Sequence, residues 1–187
     1  MAKNCGVNLR ANTALLVSHN HLNHANDVNA VISAMTYNGF DKKGVLVANN
    51  TAINGSEKSK PYLRDFYKGC LERYIVLEEG QHVGINEVEI EALKTKHSEK
   101  AIGFKFFTPL YTLAYSSDTK YSVEILEEYK NSNILILNVP FLKKEQESLS
   151  KEDAIKIINE VKPKLTIITH FGIDFLRADP LYEIRDI

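Results

Sequence analysis

Long apolar runs are missing from this sequence. None approaches the roughly 20 residues that a helix needs to cross a bilayer, so no membrane-spanning helix is expected in it. The opening segment MAKNCGVNLRANT has no apolar h-region, which predicts a chain without a secretory leader and a cytoplasmic location. Cysteine is scarce. Cys5 and Cys70 stand alone without CxxC spacing, so a thiolate metal cluster and a disulfide scaffold are both excluded and reduced thiols are expected. An excess of one charge is missing too: the net charge is −1, leaving no global basic field to hold nucleic acid, although a local patch is compatible with that balance. There is no GxGxxG, no GxxxxGKS/T and no GxSxG elbow. Nucleotide-cofactor chemistry and a serine triad therefore drop out together.

What is present is ordinary globular material. With 187 residues, 44% of them hydrophobic and 25% charged, the chain can bury a core without covalent staples. No repeat, low-complexity tract or linker interrupts it, so a single domain over residues 1–187 is expected. Strand-like and helix-like runs alternate. TALLVS (13–18) and GVLVA (44–48) read as buried strands. ANDVNAVISAMTY (25–37) reads as a helix with Val28, Val31, Ile32 and Met35 on one face, and PYLRDFYKGC (61–70) as a helix with Pro61 in its first turn. INGSEKSK (53–60) reads as a polar loop.

The middle of the chain, ERYIVLE, EVEIEALKTKH, AIGFKFF and LYTLAYS, reads as consecutive antiparallel strands, with EGQHVG a turn. Alternation then resumes with a helix in YSVEILEEYK, a strand in NILILNV, a helix in SKEDAIKIINEV and a last strand in KLTIITH. Ser150 and Asp153 occupy capping-box positions of the third of these, with Pro163 just past its end. The fold class is α/β, with mixed sheets and helices in layers.

Five of the six histidines and one aspartate fall just past strand ends: His19, His21, His24, His97, Asp118 and His170. Loops at such ends are where α/β folds place ligands. His19 and His21 are two apart, so in extended backbone their imidazoles project to one side. His24 follows in a turn that starts a helix. One histidine at a strand end is an ordinary polar residue; six donors repeating the position argue for a metal site. Nitrogen and oxygen donors without thiolate suit zinc, manganese, iron or nickel. Two ions bridged by a carboxylate can generate hydroxide near neutral pH and clamp a displacement at phosphorus or carbonyl carbon. His82, in the supposed turn, reads as a surface residue.

In order and strand context, HNHLNH (19–24), KTKHS (94–98), SSDT (116–119) and THFG (169–172) resemble the metallo-β-lactamase superfamily, whose signature is His-x-His-x-Asp-His, a distant His, a bridging Asp and a final His. The likeness runs from Leu15 to Phe175, and HLNHANDVNAV and ITHFG look most like archaeal-type hydrolases of the phosphodiesterase and tRNA 3′-processing branch. The resemblance implies an αββα sandwich. It implies His19, His21 and His97 on a first metal, His24 and His170 on a second, Asp118 bridging, and a metal-bound hydroxide as nucleophile. Zinc is the metal the resemblance implies, two ions in the family with one as the alternative here, and Asn23 and Asp118 are the candidate catalytic residues.

Two departures qualify the transfer. Asn23 stands where the motif has aspartate, and an amide carries no charge and is a very poor base. A weakened second site is expected, with Asp27 read as a helix first-turn charge rather than a replacement ligand. Only 18 residues precede His19, and NCGVNLRANT reads as a loop or helix end. The first sheet is therefore expected to lack its first strands and expose an edge, favouring homo-oligomers.

The predicted substrate is a phosphodiester or another small molecule. Two rivals stay open: hydrolysis at a carbonyl centre, and a metal-binding or oligomer-forming protein with weakened or lost catalysis. Ser98 reads as a turn residue and Thr119 as a group bonding backbone or orienting the carboxylate. Lys120 and Tyr121 could face the cleft. The run EKSKPYLRDFYKGCLER (57–73) mixes bases and aromatics as an RNA-facing patch does, but its interspersed acids favour a solvated helix.

Overall fold

The computed structural model describes residues 5–98, 100–145 and 147–187. Residues 1–4 of the N-terminal segment read above lie outside the described residues; within the rest of it, Leu9–Ala11 forms a single 3-10 turn capped by the Asn8 side chain. The chain divides into two compact units, the first ending at Glu78 and the second beginning at Glu79.

In the first unit, β1 (Ala14–Val17), β2 (Val45–Ala48) and β3 (Arg73–Val76) form a parallel sheet in that order. Parallel neighbours need crossovers, and these are supplied by α1 (Leu22–Ala25) and α2 (Val28–Met35), then α3 (Asn50–Asn54) and α4 (Asp65–Cys70). ERYIVLE is thus a strand as expected, but a parallel one, because α3 and α4 carry the chain back before it pairs with β2. Val28, Ile32 and Met35 are buried as their helical spacing predicts. The core of this unit gathers Val17, Val28, Ile32, Leu46 and Ile53. β1 is an edge of the sheet, and among the described residues no strand precedes Ala14.

The single helix read over 25–37 is instead two. Asp27 leaves helical geometry (φ −89°, ψ 2°), and its carboxylate accepts from Asn26 Nδ2 at 3.1 Å rather than capping α2. Such local side-chain bonding competes with continuation of a helix. The helix read over 61–70 begins only at Asp65. Two preceding side chains hold the backbone of 60–64 outside a helix: Asn20 and Asn29 bond to it at Lys60, Tyr62 and Arg64.

The second unit is a six-stranded sheet in sequence order: β4 (His82–Ile85), β5 (Val88–Leu93), β6 (Gly103–Phe107), β7 (Thr112–Tyr115), β8 (Ile134–Asn138) and β9 (Leu165–Thr169). β4 to β7 pair antiparallel, whereas β7, β8 and β9 are parallel, connected by α5 (Val123–Glu128) and α6 (Lys151–Val161). The turn read at EGQHVG is present at Glu79–Gly80, but β4 corrects its second half: His82 is a strand residue opposite Glu91, and a further turn falls at Asn86, whose φ of +54° suits an asparagine. His82 is exposed, as expected, with Nδ1 2.8 Å from Glu89 Oε1.

Alternation along β8 sends Leu135 and Leu137 into a core with Leu93, Ile125, Ile157 and Phe175. The Ser150–Asp153 capping box of α6 is formed as predicted, and Lys162, left-handed at φ 52°, ends the helix before Pro163. Two short helices, α7 (Ile173–Arg177) and α8 (Pro180–Glu183), follow β9. The mixed α/β class predicted from sequence is the class observed, with two sheets and flanking helices.

Candidate metal centre

The histidine-rich segment of the first unit is built on the exit of β1. Val17 ends the strand and the chain stays extended through His21 (φ −74°, ψ 148°), which caps the N-terminus of α1. The His21 carbonyl accepts from the N–H groups of His24 (3.0 Å) and Ala25 (2.9 Å), so His24 sits one turn along. His19 is fully buried. Its ring lies 4.6 Å, edge to face, from that of His21 and 4.2 Å from that of His24.

His19 Nε2 and His21 Nδ1 are 3.0 Å apart, and His19 Nδ1 is 3.0 Å from Ser18 Oγ. With Nδ1 engaged by the serine, Nε2 is the nitrogen directed toward its neighbours, the arrangement that orients an imidazole as a ligand. Asn20 points the other way, as alternation in an extended chain requires. It is buried and fastened to Lys60 and Tyr62. Asn23 is exposed on α1.

The second unit gathers its donors at the exits of β5, β7 and β9. Asp118 follows β7 after Ser116 and Ser117, the latter left-handed at φ 56°. It is nearly buried. Its Oδ1 accepts from Asn138 Nδ2 at 2.8 Å and lies 3.3 Å from His170 Nε2. A ring nitrogen of His97 also falls within 4.8 Å of an Asp118 carboxylate oxygen, so His97 and His170 each share that carboxylate in a His/Asp group that could hold a metal ion.

The segment bearing His97 is clamped to the segment bearing Asp118. Thr119 Oγ1 accepts from Lys96 N–H (2.9 Å), and Lys96 O accepts from Lys120 N–H (3.0 Å). His170 is itself left-handed (φ 66°), and the chain beyond it is drawn against Pro140, whose carbonyl accepts from Gly172 N–H at 3.0 Å. A Cβ on Gly172 would sit 2.5 Å from that oxygen, which is why glycine follows Phe171 here.

The hydrogen bond to Asp118 raises the His170 pKa above the ordinary histidine value, against the opposing effect of partial burial. Burial raises the Tyr115 phenol, so it stays protonated beside the carboxylate. Asn138, which donates to both Tyr115 Oη (3.1 Å) and Asp118 Oδ1, went unnoticed in the sequence. Its signal was available: it is the polar residue ending a buried strand, the same position that marked the histidines.

Of the residues weighed earlier, Thr119 is buried and bonds backbone as expected, and Ser98 lies exposed in a bend. Lys120 is exposed, whereas Tyr121 packs against the core of the second unit rather than standing in a cleft. Asp27 is exposed and occupied with Asn26.

Against known proteins, the model of the beta-lactamase superfamily domain matches residues 5–171. An uncharacterized protein of Methanocaldococcus jannaschii is 30% identical over 165 residues, which make up 86% of this chain. The chain spans 62% of that relative's length. Among solved structures, the metallo-beta-lactamase fold protein YhfI from Bacillus subtilis superimposes with a TM-score of 0.76 at 20% identity, covering 95% of this chain and 74% of its own. A diphosphatase of the PhnP family does so with a TM-score of 0.67 at 19% identity, covering 91% and 63%. The fold is therefore that of the metallo-β-lactamases.

Proposed function

The chain belongs to the beta-lactamase superfamily, and from that premise we propose that it is a metal-dependent hydrolase acting on a phosphodiester or a related ester. The observation that carries the reading is the Asp118 carboxylate, nearly buried and within reach of imidazoles from two other strand exits. Five imidazoles and one carboxylate, without thiolate, are a donor set that zinc fits well and manganese, iron or nickel also accept. By motif order, His19, His21 and His97 would hold one ion, His24 and His170 a second, and Asp118 would serve both. Such ions, when bound, supply Lewis acidity and a water acidified toward neutrality.

The chain's own residues do the rest. Ser18 and Asn138 orient His19 and Asp118, Thr119 fixes the approach of His97, and His170, whose pKa the Asp118 hydrogen bond raises, would bind a cation as the neutral ring. The phosphoester preference follows from the sequence phrases around the motif and is supported by the fold likeness to a diphosphatase. We read the two units as halves of one domain, since a single family model spans both. Cytoplasmic action with reduced Cys5 and Cys70 belongs to the same reading, as does self-association, supported by β1 standing at a sheet edge.

A second reading, a metal-binding or oligomer-forming protein with reduced or lost catalysis, is favoured by one observation: an exposed amide, Asn23, occupies the motif's carboxylate position. Metal content per chain, measured by plasma mass spectrometry on protein purified without added metal or a histidine tag, tests the site. Turnover of bis(p-nitrophenyl) phosphate against p-nitrophenyl acetate tests the chemistry. Two ions with phosphodiester turnover support the hydrolase; one ion without turnover supports the second reading; no ion after zinc loading overturns both. Turnover of the carboxylic ester alone overturns the phosphoester assignment.

A further inference from the structure

The second part of the run 57–73 forms α4 and opens β3, whereas the bases and aromatics before Asp65 belong to no helix, strand or metal ligand. They lie in a loop, residues 55–64, whose backbone is well fixed. Gly55 (φ 80°) opens it in a conformation and a space that only glycine fits, since a Cβ would lie 2.7 Å from Pro61 Cδ and 2.8 Å from Ser59 O. Residues 56–59 close a tight turn, with Ser56 N–H bonded to Ser59 O at 2.8 Å and Ser56 Oγ accepting from Lys58 and Ser59 N–H.

The remainder is tied down by two asparagines, Asn20 of the histidine-bearing segment and Asn29 of α2. Asn20 Nδ2 donates to Lys60 O (2.9 Å) and Asn20 Oδ1 accepts from Tyr62 N–H (3.2 Å). Asn29 Nδ2 donates to Tyr62 O (2.8 Å) and Asn29 Oδ1 accepts from Arg64 N–H (3.0 Å). Asn20 is buried and stands between His19 and His21 in the chain. The backbone at Lys60 and Tyr62 is therefore held one side chain away from the turn that presents the histidines.

Loops usually keep their freedom. One whose backbone is bonded this fully, while Lys58, Lys60, Tyr62 and Arg64 stay exposed, presents those groups in fixed places at low entropic cost. Ordinary solvation needs no such fixing.

We propose that this loop is the substrate-recognition element of the centre: the Lys60 ammonium meets the anionic oxygen of a phosphodiester, and the Tyr62 ring receives the aromatic group esterified to it. The inference rests on the hydrolase reading and narrows it to phosphodiesters carrying an aryl or nucleoside group. A Lys at the site acts as a point charge on phosphate, and an aromatic face accepts a base or aryl ring without regard to its sequence.

The test uses zinc-loaded full-length protein and its Lys60→Gln, Lys60→Arg, Tyr62→Ala and, as a remote control, Lys42→Gln variants. Binding of thymidine 5′-monophosphate p-nitrophenyl ester is followed by calorimetry at low temperature, and its hydrolysis by absorbance. Lys60→Gln and Tyr62→Ala should each weaken binding by about tenfold and raise KM with kcat, metal content and melting temperature kept. Lys60→Arg should restore affinity, and Lys42→Gln should match the wild type. The Lys60 loss should shrink with added salt.

Equal affinity in wild type and Lys60→Gln, or no binding by the wild type, overturns the proposal. The two readings fail separately. Binding that weakens in the variants without any turnover leaves the loop assignment standing and removes the hydrolase; turnover with unchanged KM in both variants removes the loop and keeps the enzyme.

Discussion

Replacing Asn138 by leucine isolates the part of the candidate centre that no motif describes. The side chain is 2% exposed and donates from Nδ2 to Asp118 Oδ1 (2.8 Å) and Tyr115 Oη (3.1 Å). Leucine keeps the heavy-atom count and branching of the side chain and removes both bonds. A hydrogen bond to a charged group is worth about 1.5–3 kcal/mol, and groups that orient a metal ligand typically contribute about 10–100-fold in metal affinity. A fall of that size in zinc affinity is expected, read by competition with a chromophoric chelator at fixed pH. Tyr115→Phe, which removes only the outer partner, should cost less than about threefold by the same comparison. Zinc affinity within about twofold of wild type in a folded Asn138→Leu protein would refute the claim that Asp118 is held for a metal.

Other expectations follow from the same contacts. Asn23→Asp restores the motif carboxylate and should raise both the occupancy of a second ion and turnover, by more than about tenfold; unchanged turnover would favour the reading with lost catalysis. Because its folded pKa is raised, protonated His170 stabilises the metal-free protein at low pH, and this is lost as pH rises through the raised value. Metal needs the neutral ring, so zinc affinity should climb across that same window above the ordinary histidine pKa, and Asp118→Asn should move the window down, as competition titrations at stepped pH would show. Tyr129 is fully buried, its hydroxyl has no hydrogen-bond partner among the described residues, and burial raises its pKa far above the usual phenol range. Tyr129→Phe should therefore stabilise by about 1 kcal/mol in urea denaturation. Gly172→Ala must displace Pro140 O and should cost about 1–3 kcal/mol together with weaker zinc binding.

The sequence was most legible where pattern and chemistry coincide. Apolar runs placed β1, β2, β8 and β9 within a residue or two, and Ser150 with Asp153 announced α6, because these features are local and uncontested. Donor positions past strand ends were legible for the same reason. The misses are tertiary. Helix spacing in 61–64 lost to Asn20 and Asn29, residues 33–42 positions away that claim its backbone. β4 hid because its exposed and half-buried residues give a weak alternation, and its identity depends on pairing with β5. The direction of β3 depends on crossovers that no local pattern reports. Asn138 carried the same positional signal as the histidines, a polar residue ending a buried strand, but no motif; its contact with Asp118 is what gives it a role.

Ser117 and His170 show what the strand exits are built to do. Both are non-glycine residues with positive φ, a conformation that costs about 1–3 kcal/mol unless surrounding structure enforces it. The enforcement is visible. Ser116 N–H bonds to Ile136 O and Ser116 Oγ accepts from Asn138 N–H, while Val139 N–H bonds to Thr169 O and Gly172 N–H to Pro140 O. These bonds grip the chain on either side of the strained residues. Relaxing either φ would swing Asp118 or His170 out of the 3.3 Å contact they now share. The strain is thus tied to the relative placement of two candidate metal ligands, and the bonds that hold it come from β8 and its exit. A donor pair placed by the backbone in this way needs little reorganisation to receive a cation, the economy that preorganisation gives any binding site.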